Sequence, residues 1–435
     1  MKRPNIIFYF SDQQRADTAG CYGQRLPVTP NLDAVAEEGT VFENAFTCQP
    51  VCGPMRACLQ SGVYATQTGC YRNDIALPTD RKTLANYLSE AGYDTAYIGK
   101  WHLASDKEHD LKAKATPKER RGGYDYWRAA DVLEFTSHGY NGYIFDGDGK
   151  RLDFKGYRAD AINDYAVEYI EKQPHDKPFF MFVSQLEPHH QNDRLRFEAP
   201  KGAKKAFKDY DVPGDLEGTL GDWRLQMPAY LACCNRVDYN FGRLIKSLKD
   251  NGLYDNTVII YTSDHGCHFR TRNAEYKRSC HEASIKVPLV ITGGGFKGGG
   301  FKGGGRVSDL VSLIDLPATV LDIAGVKVPE SYAGKSLTDL KGHDSVFMQI
   351  SESQIGRAVR TKKWKYSVTA KNKDCAYAES YTEDFLYDLE NDPYEKNNLV
   401  SDPAYADVRA DLRELLTGYM KKAGEPYLEI KIKGE

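Results

Sequence analysis

The chain has 435 residues, 41% hydrophobic and 27% charged, with a formal net charge of −3. That length exceeds one simple core and suits a large α/β domain plus a smaller one. Composition is that of a soluble globular protein, and the charge balance excludes nucleic acid as a general partner while leaving room for a basic pocket around an anionic substrate.

No apolar run reaches ~18 residues, which excludes a transmembrane helix. Ten cysteines, at positions 21, 48, 52, 58, 70, 233, 234, 267, 280 and 375, are too few for a disulfide scaffold in a chain of this length. Cys48, Cys52 and Cys58 lack the paired C-x-x-C spacing of a structural zinc site. The expected state is mostly free thiols in a reducing compartment. No secretion signal is legible, since the apolar run 6–10 reads better as a first strand. The expected location is the cytoplasm, or the periplasm if a leader has been removed.

In chain order, NIIFYF at 5–10 reads as a buried strand with Asp12 and Gln13 at its C-terminal end. Sites in open α/β sheets gather at such ends. Residues 29–39 predict a capped helix stopped by Gly39, and 41–47 a strand leading into Cys52. A helix is expected over 84–91, then a strand over 94–99 that ends at Lys100 and His102. PFFMFV at 178–183 predicts a strand running into His189 and His190. Tyr230, Val237, Phe241, Leu244 and Leu248 recur at helical spacing, which predicts a long helix over 225–249. Strands follow at 256–262, ending at Asp264 and His265, and at 287–291. The glycine repeat 293–305 predicts a flexible surface loop and lacks the G-x-x-x-x-G-K-[ST] phosphate-loop pattern. A helix is expected over 309–324. Strands alternating with helices predict an α/β fold, a mostly parallel sheet sandwiched by helices, over 1–342. Short antiparallel strands at 346–350, 357–361 and 364–368, then a helix over about 404–422, predict a small C-terminal α+β subdomain over 343–435.

Asp12, Gln13, Asp264 and His265 lie at two strand ends far apart in sequence, which a parallel sheet brings side by side. Carboxylate and amide oxygens suit Ca²⁺; the imidazole keeps Mn²⁺ or another transition metal open.

The segment CGPMRACLQSG at 52–62 resembles the C-x-P-S-R-x-x-L-x-T-G signature of type I sulfatases. GKWHL at 99–103, KRSCHEASIKVP at 277–288 and LYDLENDPYEKNNL at 386–399 resemble further segments of that family. The resemblance runs from Asn5 to Leu399. It implies an alkaline-phosphatase-like fold and hydrolysis of a sulfate ester, with sulfated carbohydrate the common target. It implies that a formylglycine-generating maturation enzyme oxidises Cys52 to formylglycine, whose hydrate is the nucleophile. The implied metal set is Asp12, Gln13, Cys52, Asp264 and His265, with Gln13 where the family usually has a second Asp. Arg56 is implied to stabilise the hydrated aldehyde, and Lys100 and Lys277 to hold the sulfate oxygens. His102 is implied to take a proton. His189 is implied to protonate the leaving group and His190 to contact substrate, with the choice between the two histidines open. Arg278 and His281 stand where relatives vary and are candidate specificity residues. Met55 replaces the common serine. The Asp12-Gln13 start also occurs in phosphonate monoester hydrolases. Phosphonate or phosphate ester hydrolysis is therefore the alternative reaction, and an unmodified binder of sulfated glycans the non-enzymatic alternative.

Overall fold

The computed structural model describes residues 3–172, 174, 176–293, 305–338, 342–370, 375–426 and 429–433. Residues 294–304, most of the glycine repeat, lie outside the described residues. The strands of the large sheet are β1 (Asn5–Asp12), β2 (Thr40–Phe46), β3 (Asp94–Lys100), β4 (Tyr126–Ala130), β5 (Tyr140–Asp146), β6 (Arg151–Tyr157), β7 (Phe179–Pro188), β8 (Thr257–Ser263), β9 (Leu289–Thr292) and β10 (Gly305–Ser312). Their spatial order is β10-β2-β9-β8-β1-β7-β3-β4-β5-β6.

The sheet is mixed. Strands β8, β1, β7, β3 and β4 run parallel through its centre, and β2 pairs parallel with β10. Strand β9 is antiparallel to both neighbours, and β5 and β6 close the far edge as an antiparallel pair. Strands β1, β7 and β8 are buried along their whole length because both faces of the sheet are covered. Phe8, Phe10, Phe182 and Tyr97 pack on the face shared with the helix Cys52–Ser61; Phe8 stacks on Phe182 at 4.6 Å. Ile7 and Tyr9 point the other way, onto Val237, Phe241 and Leu244 of the helix Trp223–Asp250.

The second sheet has the order β11 (Ser345–Ile350), β12 (Ile355–Thr361), β13 (Trp364–Ala370), β14 (Ser380–Asp388) and β15 (Glu429–Lys431). The helix Ala406–Lys422 covers it with Leu412, Leu416 and Met420. One expectation changes: 309–324 is not one helix, because β10 continues to Ser312 and the helix spans Asp315–Ile323. Strands β4, β5 and β6 and the helix Arg158–Lys172 add to the elements expected from sequence. None of the described helices is long and apolar enough to cross a membrane.

Candidate active site

The sheet order sets the site. Strands β8, β1, β7 and β3 are neighbours, so their carboxyl ends deliver Asp264, Asp12, His189 and Lys100 to one place. Register agrees: Ser11 pairs with Ser263, Asp12 with Pro188, and Gly99 with Ser184. Gly99 takes φ +107°, and a Cβ there would lie 1.9 Å from the Ser184 carbonyl oxygen, so only glycine lets β3 pass this close before Lys100.

Cys52 enters from the β2 side as the first residue of the helix Cys52–Ser61, which is buried throughout. Pro54 sits in the first turn, where helical N–H groups have no intrahelical partner, so its missing donor costs nothing. Gly62 stops the helix at φ 71° and donates its N–H to the Cys58 carbonyl at 2.8 Å. Cys52 Sγ lies 3.5 Å from Asp12 Oδ1 and 3.3 Å from His265 Nε2, and accepts a hydrogen bond from Lys277 Nζ at 2.8 Å. Burial alone would raise this thiol. Lys100 and Lys277 oppose it and hold the thiol well below its ordinary value.

The charges alternate. Arg56, 2% exposed, donates to Asp12 Oδ2 at 3.0 Å, to Ser184 Oγ at 2.6 Å and to the Lys100 carbonyl at 2.9 Å. Its Nη2 lies 3.7 Å from Asp264 Oδ2, so the guanidinium sits between the two carboxylates. Lys100 Nζ bridges Asp12 Oδ2 at 2.9 Å and Glu134 Oε1 at 3.1 Å. Burial and the Cys52 charge push Asp12 up, but Lys100, His189 and Lys277 hold it well below the carboxylate range. Asp264 goes the other way, pushed up to about 7 by burial and by Asp12. Lys277 Nζ donates to His189 Nε2 at 3.2 Å, and burial with Lys277 lowers the His189 pKa.

Residues 4–326 match the family described as Sulfatase, and residues 274–422 match that described as N-sulphoglucosamine sulphohydrolase, C-terminal. The chain belongs to the sulfatase family. It is therefore a sulfuric ester hydrolase. It is 31% identical to the uncharacterized sulfatase YidJ of Escherichia coli, over 98% of this chain and 89% of that protein. It is 28% identical to an N-acetylglucosamine-6-O-sulfatase of Bacteroides thetaiotaomicron, over 97% of this chain and 87% of that protein. A solved structure in complex with its substrate D-glucosamine-2-N,6-O-disulfate has a TM-score of 0.79 at 27% identity, covering 97% of this chain and 98% of that one.

In this sulfatase Asp12, Cys52, Asp264 and His265 offer donor atoms that all lie within 4.8 Å of one another, a candidate metal site. Two features fit a cation there. Asp264 Oδ2 is buried with no hydrogen-bond partner. His265 Nδ1 donates to the Gly266 carbonyl at 3.0 Å, which fixes the tautomer and leaves Nε2 a lone pair facing Cys52. Gln13 adopts φ 72°; its backbone N–H donates to Asp264 Oδ1 at 2.9 Å and its side-chain amide to Cys267 Sγ at 3.3 Å. The amide thus orders the loop between the two carboxylates.

The histidines separate. His189 faces Lys277 and Asp12, whereas His190 lies between Tyr276 Oη and Asn192 Oδ1, each at 3.1 Å, and stacks on Tyr276. His102, at φ 58°, helps hold the Cys52 thiol down, and its Nδ1 is buried with no hydrogen-bond partner. Arg278 pairs with Glu352 and lies 3.3 Å from Glu275. His281 is a correction: it is 2% exposed, its Nε2 lies 3.1 Å from Tyr387 Oη, and its ring packs on Phe385. It docks the C-terminal sheet and does not join the Cys52 cluster.

Sequence reasoning missed three groups. Glu134 pairs with Lys100. Asp131 takes the Leu103 and Ala104 N–H groups on Oδ1 and that of Ser105 on Oδ2, each at 2.9 Å, bracing the loop after His102. His268 donates Nε2–H to the Lys277 carbonyl at 3.0 Å. The usable signal for the first two was the end of β4, the same strand-end rule that marked Asp12.

Proposed function

We propose that this sulfatase removes a sulfate ester from a carbohydrate, using a formylglycine formed from Cys52. The observation that carries the reading is the convergence of Asp12, His265 and Lys277 on Cys52 Sγ, whose position stands in for the formylglycine oxygens. The carbohydrate class is supported by relatives named for sulfated sugars, including the protein bound to a glucosamine disulfate. Asp12, Asp264 and His265 would hold the divalent cation, with Gln13 beside them; two carboxylates favour Ca²⁺. The hydrated formylglycine against that cation would supply the oxygen nucleophile and a route for expelling sulfate.

Lys100 and Lys277 act on the sulfate oxygens, where negative charge is held as the S–O bond breaks. Arg56 keeps Asp12 and Asp264 oriented and offsets their repulsion. His189 is neutral while Lys277 and Lys100 dominate its surroundings. An anionic sulfate on those lysines offsets their field, so His189 takes up a proton as substrate binds and passes it to the leaving oxygen. His102, which bears on the Cys52 thiol, would accept a proton in the second step.

The test is a desulfation screen on defined sulfated mono- and disaccharides, with protein coexpressed with a formylglycine-generating enzyme and mass spectrometry of the peptide spanning position 52. The expected result is loss of sulfur from that peptide and release of sulfate from at least one saccharide. Turnover confined to phosphonate or phosphate esters would overturn the reading.

A further inference from the structure

Three residues of the C-terminal subdomain, Gln349, Ser351 and Glu352, reach across to the segments that frame Cys52. The Gln349 N–H donates to the Cys48 carbonyl at 2.9 Å, and Gln49 Nε2 donates to Ser351 Oγ at 2.8 Å. Glu352 then does two things at once. Its Oε1 accepts the Asn73 backbone N–H at 2.7 Å, and its Oε2 pairs with Arg278, the residue after Lys277. Asn73 passes the contact on: its Oδ1 accepts the N–H of Gly53, directly after Cys52, at 3.0 Å. The fit is tight, since a Cβ on Gly53 would lie 2.9 Å from Asn73 Oδ1 and 3.2 Å from the His102 carbonyl oxygen.

The backbone here is held in conformations that L-residues resist. Glu352 has φ 69°, Arg278 φ 67° and His102 φ 58°, none of them glycine. Such strain persists only where surrounding contacts over-determine it, and it collects at functional sites. Glu352 is 17% exposed at its side chain and lies in the turn joining β11 to β12.

We propose that Glu352 is a positioning residue for the sulfatase reaction: one carboxylate from the C-terminal subdomain sets both the Asn73–Gly53 contact behind position 52 and the Arg278 turn that aims Lys277. It acts through Asn73 and Arg278 and touches no reacting atom. The proposal deepens the assignment of Cys52 and Lys277 above and rests on it.

The test uses Glu352→Ala and Glu352→Gln in the full chain, matured and checked for equal formylglycine content. Hydrogen exchange is followed over peptides spanning 49–58 and 70–76, alongside kcat and KM on a small aryl sulfate. Glu352→Ala is expected to speed exchange in both peptides and to lower kcat by about tenfold or more. Glu352→Gln keeps an oxygen for Asn73 and loses the charge facing Arg278, so it is expected to restore most of the exchange protection with only part of kcat. It also carries the test if the alanine variant fails to fold. Unchanged exchange, or faster exchange with kcat intact in both variants, overturns the proposal. A wild type active on the aryl sulfate and inactive on every saccharide would sink the carbohydrate assignment alone, and exchange with aryl sulfate kinetics would still decide the role of Glu352.

Discussion

Glu134 shows what single side chains contribute. Burial disfavours its charge, yet Lys100, His189 and His102 lower its pKa from the ordinary 4.5 to about 2. A carboxylate depressed in the folded state stabilises above its unfolded value and loses that contribution as pH falls. The stabilisation is therefore present above about pH 4.5 and lost toward pH 2, and a shift of this size is worth about 3 kcal/mol. Glu134→Gln should flatten the acid limb of a urea-monitored stability curve by about that amount, and lower kcat/KM about tenfold as Lys100 loses one of its two anchors. An unchanged acid limb would show that Lys100 does not need Glu134. Residues of this kind were hard to read in the sequence. Asp12 and Asp264 were legible because each ends an apolar run. Lys277 lies in a loop without periodicity, and only its motif marked it. His281 was misread because a polar loop sequence does not say which side of the loop meets the neighbouring sheet.

Lys365 on β13 carries the link between the two sheets. It is buried, and its Nζ lies 2.6 Å from both Glu282, in the segment after Lys277, and Glu395. Burial opposes every charge in this triad; Lys365 outweighs it at Glu282, whose pKa falls to about 2, while burial and the neighbouring Glu282 push Glu395 up. Lys365→Met removes the shared partner and leaves the buried Glu395 carboxylate unpaired, beside Glu282, which keeps Arg360 at 3.5 Å. The expected cost is about 3–5 kcal/mol in denaturant unfolding, and a loss below about 1 kcal/mol would mean that water reaches the triad. At this scale much of the fold was legible. Strands β1, β7 and β8 each carry a continuous apolar run, and the helix Trp223–Asp250 buries Val237, Phe241, Leu244 and Leu248 at helical spacing. Residues 309–312 of strand β10 were read as helix because the register shifts between Val307 and Leu310, placing Ser308 and Asp309 inside a strand and breaking the alternation. Strands β5 and β6 are only partly buried at the sheet edge, which mutes the burial signal.

For the molecule as a whole, the sequence foretold α/β layers but not the strand order, and the order makes the site. Placing β1 between β7 and β8 brings residues 12, 189 and 264 together, with position 52 arriving from β2 across β9. A cation held there ties β1, β8 and the helix Cys52–Ser61 into one unit. Adding Ca²⁺ at a hundred times its Kd to chelator-treated protein should raise stability by about 2.7 kcal/mol, read as a higher Tm, and the gain should vanish in the double variant Asp12→Asn/Asp264→Asn. A Tm indifferent to divalent cations in the wild type would remove the metal from the account. Beneath all of this lies the claim that chemistry passes through the side chain at position 52. The most direct measurement is kcat of Cys52→Ala against the wild type, both coexpressed with the maturation enzyme and assayed on the same sulfate ester. The account predicts a loss of about a thousandfold or more; a variant within about tenfold of the wild type would contradict it.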